Sequence, residues 1–518
     1  MAADTGDFPT FVFGEDELDT VTLDRLATQR VMPQMSVNSD VLEVINNSAK
    51  HVTNLLENEG KIYGVTTGYG DSVVRAVPPE LVAELPLHLS RFHGCGMGRF
   101  LTPEETRATL AVRLVTLVRG WSGVSMDLVQ LLASMLKLDI LPLIPSEGSV
   151  GASGDLTPLS YIAGSLAGER DVLHNGQVKL AREAFAEEGL TEITLRPKEA
   201  LAIMNGTSVM TALAGIALEQ SKRLAAAATR LTSMCSLAIL GNTRHFDERL
   251  FNAKPHQGQM LIARHIREDL APMQANHEAV RMQDRYSTRC APHVIGVLQD
   301  AMPMLETTLN TEINSSNDNP LFDPETGDVL HGGHFYGGHV CMVADTLKTQ
   351  VANLADLMDR QLATLVDTRY SNGLPSNLTG AIGERAPINH GFKAVQIGVS
   401  AWTAEACKLT MPASVFSRST ECHNQDKVSM GTIGARDALR VNELTAQVTA
   451  AHMMAATQAI ELRMKSGELT EAMVGLRVLG QIAKVRAVVP FISEDQPMDK
   501  MLAEMTQQIL SGEMSVSF

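Results

Sequence analysis

Six short stretches put reactive or polar side chains into interruptions of this chain. They are YGVTTGYG (63–70), GASGD (151–155), NGT (205–207), QDRYSTRC (283–290), HGGHFYGGH (331–339) and ECHNQD (421–426). Phenol, hydroxyl, guanidinium and carboxylate groups all sit in glycine- or asparagine-rich interruptions. GASGD, inside GSVGASGDLTPLSY, poses the sharpest question. A phosphate loop needs a Lys and then a Ser or Thr after its glycines, and no Lys follows Gly154 closely. A serine nucleophile elbow needs glycine two residues after the serine, where this chain has Asp155. A plain tight turn fits as well, since Gly and Ser cluster in turns. Taken singly, the others have bland readings too. Tyr63 reads as a half-buried tyrosine with its hydroxyl satisfied. Asn205 reads as a helix end, Arg289 as an ion-pair partner, and NSSNDNP (314–320) as an Asx-rich turn. His331, His334 and His339 have metal-ligand side chains. The glycines among them fix no mutual geometry, and no carboxylate joins them, so no metal is expected.

These groups need rigid supports, and the surrounding pattern supplies helices. Apolar residues at helical spacing span 41–59. Thr102-Pro103-Glu104-Glu105 is a helix start, with Thr as N-cap and Pro in the first turn. That helix is predicted to run through Leu117 and stop near Gly120. A second is predicted from Ser125 to Leu138. Thr157-Pro158 repeats the start signal directly after GASGD, and Asn175-Gly176 suggests a small hairpin. Segments 198–240, 295–313, 341–366 and 431–463 read as long helices, with apolar residues at three- and four-residue steps. The expected fold is mainly α: a long-helix bundle with glycine-rich active-site loops. Three parts are expected: 1–200 bearing GASGD, 201–480 as the central bundle, and 481–518 as a helical tail.

The 518 residues carry a formal net charge of −16, which argues against nucleic acid or an anionic membrane as partner. Aromatics are 4% while Met reaches 26 residues, so the core is expected to be aliphatic and filled by flexible Met. The six cysteines form no C-x-x-C pair, and a reducing cytoplasm fits that usage. MAADTGDFPT has neither the basic nor the apolar region of a signal peptide. No apolar run approaches membrane-spanning length.

Together the loops resemble the aromatic amino acid ammonia-lyases and their related aminomutases. YGVTTGYG, GSVGASGDLTPLS, MNGTSVM, DRYSTRCAP, NSSNDNP, HGGHFYG and HNQDKVSMG follow the order of that family over roughly residues 60–435. The resemblance implies that Ala152, Ser153 and Gly154 cyclise on their own backbone into 4-methylidene-imidazol-5-one (MIO), with no metal or external cofactor. Glycine offers an unhindered nitrogen, serine loses its hydroxyl to leave a methylene, and alanine fits the bend. The resemblance further makes Tyr63 the base for the β-proton, a role suited to a phenol whose pKa a positive local field has lowered. Arg289 is implied to clamp the substrate carboxylate in the bidentate manner of a guanidinium. Tyr286 and Asn205 match residues near the cyclic group and the carboxylate. Gln283, Phe335 and Gln425 match pocket residues, and Glu421 matches an acidic position that meets the amine. The implied assembly is a homotetramer of the compact bacterial type, with active sites shared between subunits and a small aromatic amino acid as its partner. The loop at 64–72 is the candidate lid.

Two positions bear on the substrate. Histidine enzymes of the family usually read NQED, with Glu where this chain has Gln425. Phe92-His93 is a mixed pair that departs from the phenylalanine, tyrosine and histidine patterns alike. A buried imidazole wants a polar partner, and a para-hydroxyl would serve. The expectation is therefore elimination of ammonia from L-tyrosine to give trans-4-coumarate. Phenylalanine elimination and a 2,3-aminomutase stand as alternatives, and histidine is less favoured.

Overall fold

The computed structural model describes residues 8–58, 61–274 and 278–516. The expected helix over 41–59 appears as Ser39–Glu57, with residue 59 outside the described range. The first seven residues, on which most of the signal-peptide reading falls, also lie outside it. The chain divides into two compact units. One comprises Met1–Ile216, Glu306–Asp345 and Pro412–Arg436, and the other Ala217–Leu305, Thr346–Met411 and Asp437–Phe518.

In the first unit, local sequence signals set several boundaries. Helix Pro103–Val118 begins with a reciprocal cap, Thr102 bonding the Glu105 N–H and Glu105 bonding back. It is buried on every side from Glu105 to Val118, including Arg107 and Arg113, so it is a central element rather than a half-exposed one. Helix Met126–Lys137 starts from the Ser125 cap. Strands Asp171–His174 and Gln177–Leu180 form the expected hairpin around Asn175-Gly176, and Leu141–Pro142 adds a third short strand.

Two boundaries differ from expectation. The helix after GASGD begins at Leu156, with Asp155 in the cap position, rather than at Thr157. The Asp155 side chain does not cap it, because its oxygens are engaged elsewhere. The long helix expected over 198–240 is broken into Glu199–Met204 and Ser208–Ala238. Gly206 adopts φ +146°, a conformation that glycine alone tolerates easily. Its Cα is packed so tightly that a Cβ would come within 2.4 Å of Arg113 Nη1 and 2.7 Å of the Asn317 carbonyl oxygen. Arg113 in turn donates to the carbonyls of Ala202 and Asn317. A buried guanidinium thus holds the break open where periodicity alone would run a helix through.

The second unit is built from helical segments. Within it Arg463 is fully buried and donates to the carbonyls of Ala238, Ser371 and Asn372 at 2.6–2.9 Å. The long helices that the periodicity predicted are observed as Ala291–Ile313, Gly338–Val366 and Gly431–Ser466. The fold is mainly α. Among the described residues, no helix is long and apolar enough to cross a membrane.

Candidate active site

The Ala152-Ser153-Gly154 segment is a turn with two successive left-handed residues, Ser153 at φ +54° and Gly154 at +77°. A non-glycine residue in this region is uncommon and is held there by its surroundings. The surroundings are specific. The Asp155 N–H donates to the Gly206 carbonyl at 2.7 Å, and the Gly206 N–H to the Ser153 carbonyl at 3.3 Å. Gly154 lies so close to Gly206 that a Cβ would stand 2.0 Å from its carbonyl oxygen. Asp155 is fully buried and accepts from Met210 N–H at 2.9 Å, from the Ser149 hydroxyl at 3.2 Å and from the Thr432 hydroxyl. Burial pushes its pKa up to about 6, against the pull of these donors. The turn suits the implied cyclisation: it bends the chain sharply at a serine and leaves no room for a side chain at Gly154.

A second turn stands beside the first. The Gln425 side chain donates from Nε2 to Ser153 Oγ at 3.4 Å and accepts from the Thr420 hydroxyl at 2.9 Å. Glu421, Cys422 and His423 are all left-handed, at φ +49°, +54° and +64°. Both Glu421 carboxylate oxygens lie 3.0 Å from the Asp71 N–H. The Gly70 N–H donates to the Tyr63 phenol oxygen at 2.8 Å. Hydrogen bonds therefore tie Ser153, Gln425, the 420–425 turn, the 70–71 turn and Tyr63 into one neighbourhood.

The Tyr63 environment corrects one expectation. Its pKa is raised, not lowered: burial dominates, the Gly70 N–H opposes it, and the Glu421 charge adds to the rise. The expected positive field is replaced here by a neighbouring carboxylate. Phe92 closes helix Leu85–Phe92, is 58% exposed, and meets the His93 ring at 4.5 Å and the Tyr69 ring at 6.5 Å. Burial lowers the His93 pKa to about 4, which keeps the imidazole neutral. Asn205 is 2% exposed and its Oδ1 has no hydrogen-bond partner among the described residues, so a buried acceptor is left for a ligand to satisfy. Phe335 is half-buried in a turn. His339 lies within helix Gly338–Val366, while His331 and His334 lie in the loop before it. Among the described residues no group of three His, Cys, Asp or Glu is arranged to hold a metal.

Gln283, Tyr286 and Arg289 belong to the second unit. Tyr286 begins the short helix Tyr286–Arg289 and is 72% exposed. Arg289 donates from Nε to the Asp284 carbonyl at 3.0 Å and stands 4.7 Å from the centre of the Tyr286 ring. Gln283 is exposed.

Sequence reasoning missed the holders of Asp155, namely Ser149, Thr432 and the Met210 N–H, and it missed Gly206 and Tyr69. Ser149, Tyr69, Gly206 and Met210 all lie inside quoted motifs, so proximity offered a signal. Thr432 comes from 277 positions away, where nothing local announces the contact.

Comparison with known proteins finds relatives over most of the chain. The family model for aromatic amino acid lyases matches residues 18–477. A histidine ammonia-lyase of Gloeobacter violaceus is 37% identical over 474 residues, covering 91% of this chain and 90% of that protein. The crystal structure of tyrosine aminomutase from Streptomyces globisporus superposes with a TM-score of 0.88 at 30% identity, covering 98% of this chain and 97% of that one. Histidine ammonia-lyase from Trypanosoma cruzi gives 0.87 at 28% identity, covering 98% and 94%. Eight relatives at 32–37% identity are all named histidine ammonia-lyase. They overturn the expectation of tyrosine as substrate and coumarate as product. The case against histidine rested on one residue type at Gln425, whose carbonyl oxygen accepts from Thr420 and whose Nε2 lies beside Ser153; a single pocket position was a poor guide to the substrate ring. With the family model matched over residues 18–477 and a 37% identical relative spanning nine-tenths of both chains, the chain belongs to the aromatic amino acid lyase family.

Proposed function

We propose that this ammonia-lyase removes ammonia from L-histidine to give urocanate. The observation that carries the reading is the run of relatives at 32–37% identity, each covering 78% or more of this chain and each named histidine ammonia-lyase. An MIO group formed from Ala152, Ser153 and Gly154 supplies an electrophile that makes the amino group a better leaving group. The left-handed turn and the close packing of Gly154 on Gly206 support that assignment.

The residues of the chain then divide the remaining work. The Tyr63 oxygen takes the β-proton; the Gly70 N–H favours its ionised form, against burial and the Glu421 charge, which together hold the pKa up. Asn205 offers a buried, unpaired acceptor oxygen to the substrate or to Tyr286. Arg289 clamps the substrate carboxylate, with Tyr286 beside it. Glu421 meets the ammonium group with the lone pairs that its bond to the Asp71 N–H leaves free. Phe92, His93, Gln283, Phe335 and Gln425 line the pocket, and a neutral His93 accepts or donates to an imidazole without charge repulsion. The proposed assembly is a homotetramer in which a neighbouring copy delivers Tyr286 and Arg289. The exposure of Tyr286 and Met282 in the single chain supports such a role.

The test is a spectrophotometric assay of purified protein with L-histidine, L-tyrosine and L-phenylalanine separately, with Ser153→Ala as control. Urocanate formation that falls by at least about a thousandfold in the control is expected, since the nucleophile-accepting group is then missing. Coumarate or cinnamate without urocanate overturns the substrate. Formation of a β-amino acid with no free ammonia overturns the reaction type.

A further inference from the structure

Gly70 and Asp71 open the short helical turn Gly70–Val74, and their two N–H groups go to different partners. Gly70 gives its hydrogen to the phenol oxygen of Tyr63, and Asp71 gives its own to the carboxylate of Glu421. The contact is tight: a Cβ on Gly70 would stand 2.2 Å from Glu421 Oε2. Glu421 is held from its own side as well. The Thr420 and Gln425 backbones pair at 3.0 and 3.2 Å, and the Asn424 N–H returns to the Glu421 carbonyl at 2.9 Å. The three consecutive left-handed residues that begin at Glu421 are unfavourable for non-glycine side chains. A turn so constrained presents its first side chain in one direction, and that direction is the 70–71 backbone.

We infer that Glu421 is a positioning residue for Tyr63: it fastens the 64–74 loop to the 420–425 turn, and so fixes the Gly70 N–H that aims the Tyr63 oxygen. The inference rests on the proposed role of Tyr63 as base only where it concerns catalysis; the fastening stands on the contacts alone. The charged group facing Tyr63 is Glu421, and the other titratable neighbour is Tyr69. Glu421 therefore acts on the phenol in two opposed ways. Its charge disfavours the phenolate directly, while its grip on the turn supplies the N–H that favours it. Separating these effects needs two variants, and because the glutamate is exposed, both are expected to fold.

Glu421→Gln keeps an acceptor oxygen and removes the charge, whereas Glu421→Ala removes both. In substrate-free protein, amide hydrogen exchange at Gly70 and Asp71 is expected to rise about tenfold in Glu421→Ala, the weight of one charge-assisted hydrogen bond. It is expected to rise no more than about threefold in Glu421→Gln. Unchanged exchange in Glu421→Ala overturns the fastening whatever the enzyme catalyses. The acid limb of kcat/KM is expected to move to lower pH in Glu421→Gln and to higher pH in Glu421→Ala. Movement of both in one direction overturns the link to Tyr63. Because exchange is read without substrate, faster exchange in a chain that shows no lyase activity supports the fastening and sinks only the proposed function.

Discussion

Two turns in this chain have nearly the same pair of φ values and quite different surroundings. Asn175-Gly176 has φ values of +51° and +72°, and Ser153-Gly154 has +54° and +77°. The first joins two antiparallel strands, with His174 paired to Gln177 across it. Asparagine tolerates the left-handed region better than other non-glycine residues, and a Cβ on Gly176 would meet nothing within 4 Å. The second turn puts a serine where asparagine would be easier, and it is walled in by Gly206 and a buried carboxylate. The chemistry proposed for the second turn therefore cannot follow from its φ values alone, which the chain adopts twice; what differs is the packing that holds a less suitable residue there.

The largest effect that would break this contrast is at Gly154. In Gly154→Ala the new methyl would lie 2.0, 2.3 and 2.7 Å from the O, C and N of Gly206, all backbone atoms that cannot swing aside. Overpacking of this kind is expected to destabilise by about 3 kcal/mol or more and to block cyclisation. Intact mass should show that the variant fails to lose the two waters that ring formation releases, and its thermal unfolding should shift clearly downward. A variant that is fully dehydrated and as stable as wild type would mean the Gly206 wall is not what distinguishes the two turns.

Asp155 gives the next effect, and it carries a pH signature. Its folded pKa of about 6 is raised above the ordinary 3.8, so the folded state binds the proton more tightly than the unfolded chain. The stability from this group is complete below about pH 4 and is lost as pH rises through about 6, a difference on the order of 3 kcal/mol. Asp155→Asn removes that titration. Urea unfolding of the two proteins should show the variant gaining on wild type by about that amount between pH 4 and pH 7.5. A difference that does not change with pH would show that Asp155 is ionised throughout, and the wall around the turn would then be charged.

Much of the frame was legible before the structure, because its signals are local. The Thr102-Pro103 start, the Ser125 cap and the Asn175-Gly176 hairpin all depend on residues within a few positions of each other. The loops that make up the proposed site were legible as motifs. What could not be read was long-range. Arg113 breaks the helix at 205–207 from a distant element, and Thr432 reaches Asp155 from the far end of the sequence. The direction of the Tyr63 shift was missed for the same reason, since it is set first by burial, which depends on tertiary packing, and then by Glu421, 358 residues away in sequence. The substrate was misread because one position, Gln425, was made to stand for the whole pocket.

The smallest effect sharpens the contrast from the other side. Gly176→Ala meets no atom within 4 Å, so only the left-handed backbone opposes it. That strain is worth about 1 kcal/mol, and in a protein of this size it should lower the melting temperature by about a degree or two. Dehydration of the 152–154 triplet and turnover should both be untouched, as intact mass and the urocanate assay would show. The two glycine variants then differ in kind although their backbones start alike. If Gly176→Ala also impaired turnover by more than about twofold, the hairpin would be coupled to the site, and a shared bend could no longer be treated as neutral scaffolding. Coupling energies of 0.5 kcal/mol and above are the mark of groups in contact or in one network, and Gly176, with open space where its side chain would be, has no such neighbour to transmit them.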